Sequence, residues 1–145
     1  MRRSLFLICG LLLTVCNVRA EEVTNTYSCR GFDSRSNLVV EGILNISVDT
    51  TNRVRGNWNL HNIELTPKIK SKVAHHVAWP VGSGKLEGQI EKDEIAINLN
   101  PNVADGGLLL SGKMTATNIL GTLTFCGEGP QQIGKFEAIK KERTP

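Results

Sequence analysis

Beyond its first twenty residues the chain has no stretch in which apolar side chains recur at helical spacing over ten positions. Neither a helical bundle nor an alternating α/β fold is therefore expected. It also lacks a long apolar run. The only candidate, residues 5–15, covers about 11 positions, well short of the roughly 20 that cross a bilayer. Arg2 and Arg3 precede this run and Val18-Arg19-Ala20 follows it, with small residues at the two positions a signal peptidase reads. These features predict a signal peptide over 1–20, cut before Glu21, and a secreted or periplasmic chain with no stable membrane anchor. Cys16 makes a poor lipid acceptor, because Val15 is bulkier than the small residue such a cut requires.

An excess of charge is missing once the signal is removed. Of 17 Lys and Arg, Arg2, Arg3 and Arg19 leave with it, and the remaining 14 stand against 14 Asp and Glu. A neutral chain gives no electrostatic ground for binding nucleic acid or an acidic membrane. Cysteine is scarce as well. Cys9 and Cys16 fall in the signal, which leaves Cys29 and Cys126. One pair in an oxidising compartment predicts one disulfide. It would close a loop of 97 residues, a constraint worth roughly 4 to 5 kcal/mol in chain entropy.

What the sequence does contain is alternation, with glycine in the apolar phase. In 108–116, Leu108, Leu110, Gly112, Met114 and Ala116 form one period-2 set; Gly121, Leu123 and Phe125 form a second, and Gly134, Phe136 and Ala138 a third. The same apolar-x-Gly-x-apolar module recurs as Val54-Arg-Gly-Asn-Trp58 and Leu86-Glu-Gly-Gln-Ile90. Strands are expected over 26–32, 38–48, 53–60, 85–91, 95–99, 108–117, 119–127 and 133–140, with a further edge strand within 66–83 and a frayed start over 21–25. Turn clusters fall at 33–37, 49–52 and 92–93. After Leu60 the apolar phase slips to Ile63 and Leu65, the signature of a β-bulge. The fold class is all-β: a single antiparallel up-and-down meander barrel of about eight or nine strands, occupying 21–145 after the signal.

On the repeated Leu/Val-x-Gly-x-apolar hairpins from Val54 to Phe136, and the closing Gly134-Lys-Phe-Glu-Ala-Ile strand, the chain resembles the calycin-like barrels, the group of avidin-like, lipocalin-like and small secreted inhibitor barrels. The resemblance implies a ligand-holding or partner-binding barrel. The Gly-x-Trp common in the first strand of those families is missing here, and Gly56-Asn-Trp58 stands in the third, so no family binding residue carries over.

The expected interior holds Leu38, Val40, Leu44, Ile46, Val48, Val54, Trp58, Leu60, Leu86, Ile90, Ile95, Ile97, Leu99, Leu108, Leu110, Met114, Leu123, Phe125 and Phe136. No charge lies among them, which disfavours a site for a polar small molecule. Two readings follow: a core filled by large side chains folding over the inward glycines, or a dry cavity for an apolar small molecule around Trp58, Met114, Phe125 and Phe136. Segment 66–83 breaks the alternation and carries Lys68, Lys70, Lys72, His75, His76 and Trp79. It is either a protein-partner surface or, for Trp79, a plug capping one barrel end.

No catalytic residue, metal or cofactor is expected. His75 and His76 are adjacent and point to opposite sides of a strand, so they cannot share one metal. Ser83, in Gly82-Ser83-Gly84, reads as a flexible turn rather than a nucleophile elbow. Glu91, Asp93 and Glu94 form a solvated hairpin tip with nothing apolar around them to raise a carboxyl pKa. Asn45-Ile-Ser47 is a glycosylation sequon on the outward face. The function expected is that of an exported non-enzymatic binding module of inhibitor-like kind, with an apolar-ligand carrier as the alternative.

Overall fold

A computed structural model of the chain describes residues 23–63, 79–103 and 106–142. The signal-peptide expectation, Leu65, most of the proposed edge strand, and Lys68, Lys70, Lys72, His75 and His76 lie outside them. Among the described residues there are eight strands and no helix: β1 (Val23–Asp33), β2 (Leu38–Val48), β3 (Arg53–Asn62), β4 (Gly82–Glu91), β5 (Glu94–Asn98), β6 (Gly107–Met114), β7 (Asn118–Cys126) and β8 (Pro130–Lys140). Each pairs with the next and β8 returns to β1, so the sheet is a closed antiparallel up-and-down barrel. The expected fold is therefore the observed one.

Alternation explains the closure. Of the predicted inward phase, Val40, Leu44, Ile46, Val54, Leu86, Ile97, Leu110 and Leu123 are at most 1 % exposed. The outward phase places Arg30, Glu41, Arg55, Glu87, Glu94, Lys113 and Lys135 in solvent on seven of the eight strands. A lipid-facing barrel wall would carry an apolar band there. Two strands come close where glycines meet: Gly112 faces Gly121, and a Cβ on Gly112 would strike the Leu120 carbonyl oxygen. Only a residue without a side chain allows the two strands to approach that closely.

Several expectations are corrected. β1 begins at Val23, paired with Val48, rather than fraying to residue 25. Ser83 is not a turn; it lies in β4 opposite Asn59. Residues 79–81 precede β4 and belong to no strand. The β2–β3 register runs unbroken to Val40↔Asn62, so the phase change after Leu60 is a strand end and not a bulge. The bulges lie elsewhere. The β1–β2 register skips Val39 between Gly31↔Val40 and Phe32↔Leu38, and the β7–β8 register skips Ile133 between Leu123↔Gly134 and Thr124↔Gln132. Each extra residue turns toward the core: Ile133 is buried and Val39 packs against the cluster, while Leu38 does not join it. Both bulged strands flank β1 near Gly31 and Phe32.

Two aspartates build the tight turns that the sequence places there. The buried Asp33 carboxylate accepts from Arg35 N (2.9 Å), Asn37 N (2.8 Å) and Asn37 Nδ2 (2.9 Å), with Ser36 at φ 64°. Asp49 Oδ1 accepts from Thr51 Oγ1, Thr51 N and Arg53 N; the Thr51 hydroxyl bond leads the causes that hold this carboxyl below its ordinary pKa. Asp33→Ala strips three donors of their acceptor, and unfolding in urea should show a loss of about 1–3 kcal/mol with an unchanged m-value.

Candidate functional site

The barrel has two unlike ends. Turns of two to four residues close the β2–β3, β4–β5 and β6–β7 end. At the other end 8 residues, 99–106, separate β5 from β6 and 19, residues 63–81, separate β3 from β4; of these, 104–105 and 64–78 lie outside the described residues. Long connections in a compact barrel are typically functional, so this end is the candidate site.

Two tryptophans are buried in the core. The Trp58 ring lies over Gly84 on the neighbouring strand, where an added Cβ would come within 2.8 Å of Nε1, and Nε1 donates to the Leu99 carbonyl at 2.7 Å. Trp79 repeats this arrangement on β1: its ring covers Gly31, and Nε1 donates to the Phe32 carbonyl at 3.2 Å. With each buried indole N–H satisfied, each ring contributes its apolar area without a desolvation penalty. Trp79 is 5 % exposed and belongs to the core cluster, so its ring is not an exposed aromatic patch. Of the other proposed partner residues, Lys68, Lys70, Lys72, His75 and His76 lie outside the described residues.

The four residues proposed for a ligand cavity are spread along the barrel. Trp58 and Phe136 are buried, while Met114 and Phe125 are half-buried against the core. Phe125 pairs with Leu108, six residues along β6 from Met114, a separation of about 20 Å at roughly 3.3 Å per residue. They run the length of the barrel. At Gly84 the inward glycine serves to seat a large ring rather than to leave a void.

The disulfide expectation is overturned: Cys29 and Cys126 are both free thiols. Cys29 is in the core, opposite Ala138, which in turn faces Ile119. Cys126 is exposed at the far end of β7, seven residues from Ile119, so the two differ in height by on the order of 20 Å. They also face opposite sides of the wall. A bridge needs Cα atoms within about 7 Å.

The remaining titratable groups are dispersed. His61 Nε2 lies 3.4 Å from Glu41 Oε1, and Lys113 Nζ 3.6 Å from Asp93 Oδ2, both pairs largely in solvent. No group of three His, Cys, Asp or Glu side chains among the described residues is placed to hold a metal. The sequon residue Asn45 is engaged on both sides, accepting from Thr26 Oγ1 and donating to Asn57 Oδ1, each at 2.8 Å. In comparisons with known proteins, the chain matches no protein-family model and no curated protein sequence at a significant level.

Burial pushes the Cys29 thiol up to about 12 from an ordinary 9.0, and the Tyr27 phenol upward by the same cause. Between those values the unfolded chain gives up the Cys29 proton and the folded chain keeps it. Stability is thus intact below about pH 9 and falls as pH rises, by up to about 1.4 kcal/mol per pH unit for one thiol. Urea midpoints at pH 8 and pH 10.5 should fall less for Cys29→Ala than for the parent chain. At pH 8 an alkylating reagent should modify Cys126 and spare Cys29 in the folded protein, and reach both after denaturation, read by mass spectrometry.

Proposed function

We propose that this protein is an exported, non-enzymatic binding module of calycin-like build, which engages a protein partner through the connection between β3 and β4. The observation that carries this reading is the contrast between a core of apolar side chains that includes Trp79 and the 19 residues, 63–81, that separate β3 from β4. That connection holds three lysines and two histidines, at 68, 70, 72, 75 and 76, which suits a partner surface with acidic character. Against an enzyme stands the scatter of described titratable groups over the outer wall. Catalysis needs such groups to converge in a cleft.

The apolar lining of the closed barrel supports a second reading, a carrier for an apolar small molecule. Replacing residues 65–77 by a Gly/Ser linker of equal length leaves Trp79 in place. It should abolish capture of the partner from secreted or periplasmic extract while the barrel still melts in one cooperative step. Unchanged capture rejects the partner reading. Native mass spectrometry of the purified chain tests the carrier: a co-purified apolar ligand, or saturable uptake of a fluorescent fatty acid, supports it, and neither is expected if the partner reading holds.

A further inference from the structure

The indole of Trp79 belongs to no strand, yet it is seated as firmly as a core residue. The barrel closes through the β1–β8 ladder without it, and its side chain adds one hydrogen bond, to the Phe32 carbonyl. The wall beneath it is shaped to the ring. A Cβ on Gly31 would lie 2.6 Å from Val40 Cγ2, 2.7 Å from Trp79 Cε2 and 2.8 Å from Trp79 Cδ2. The two Trp79 atoms form the bond shared by the two indole rings, so the ring system lies flat over the missing side chain. A Cβ on Gly134, the partner of Asp33, would lie 3.3 Å from Nε1, so a second glycine opens the nitrogen side. The two bulges, with Val39 and Ile133 as their extra residues, deform the strands on either side of β1 at this level. Barrels concentrate such bulges at rims and next to sites.

We propose that this notch, formed by Gly31, Gly134 and the Phe32 carbonyl, is a recognition site for a planar aromatic ring bearing one N–H donor, and that the chain fills it in cis with Trp79. The glycines give the ring its flat bed and the carbonyl sets its orientation. Free indole and the tryptophan side chain of a peptide share the required chemistry. A tethered occupant competes at an effective concentration in the millimolar range, so in the intact chain an outside ligand binds only weakly, and removal of Trp79 unmasks the site. The notch lies on β1 and β8, and its occupant Trp79 belongs to the β3–β4 connection; the partner surface proposed there rests on residues 68–76, so the two proposals fail separately.

The test uses the full chain and 5-fluoroindole, followed by fluorine NMR. Trp79→Ala should bind the probe saturably at one site and at least tenfold more tightly than the parent, with a melting midpoint that rises with probe concentration. Adding Gly31→Ala to that variant puts a methyl group into the notch and should abolish binding. A folded Trp79→Ala that takes up no probe, or equal binding with and without the Gly31 methyl, overturns the proposal. Should Trp79→Ala not fold, Gly31→Ala in the intact chain labelled with 5-fluorotryptophan decides the matter. The Trp79 resonance should then move to a solvent-exposed position while that of Trp58 stays, and an unmoved Trp79 resonance overturns the proposal.

Discussion

Closure of one sheet on itself is the constraint on which the rest of this structure depends. Eight strands enclose a narrow barrel only by bending sharply, and at each bend a backbone carbonyl of one strand comes to rest where a neighbour's Cβ would be. An added Cβ would strike the Asn59 oxygen at Gly42, the Ala96 oxygen at Gly88 and the Phe32 oxygen at Gly134. These glycines all stand in the inward phase, half-buried or buried. The repeated apolar-x-Gly-x-apolar module is therefore a specification of curvature. Its second effect follows directly, since a wall with side chains missing at set points can accept an indole laid flat against it, as happens at Gly84 and at Gly31.

Most of this was legible because a strand with one buried face writes its parity into the sequence. The long alternations of β2 and β3 are read correctly to within two residues at their ends, and β4 to within three. Parity fails where neighbouring residues are all apolar. In Leu38-Val39-Val40 nothing local says which residue is the extra one, and the answer comes from Gly31 and Phe32 on the partner strand. Ile133 beside Gly134 poses the same problem: both are buried, which no single phase permits. The slip after Leu60 had the look of a bulge and was only the end of β3.

The candidate site was less legible, for a related reason. Trp79 stands outside every alternation, and the sequence leaves its ring equally suited to solvent or to the barrel. What decides the matter is the absence of side chains at Gly31 and Gly134 and a carbonyl at Phe32, three positions on β1 and β8 remote from it along the chain. The pairing of β1 with β8 brings them together, and non-local pairing is what a single sequence does not display.

The cysteines show where an argument from compartment parts from one based on geometry. Two cysteines in a chain expected to be exported suggest a bond that ties the first strand to the end of the barrel, and that tie does exist, made of backbone. β1 and β8 hold seven residue pairs in register, from Tyr27↔Lys140 to Asp33↔Gly134, so the ladder joins the ends of the described chain and closes a loop longer than the disulfide would have. Cys29 sits within this ladder, opposite Ala138, where its place is that of a small apolar side chain. The burial that packs it also holds its proton, and a thiol without thiolate character reacts poorly with oxidants. The closing ladder thus supplies the cross-link and, by enclosing Cys29, removes the reactivity that a covalent one would have needed.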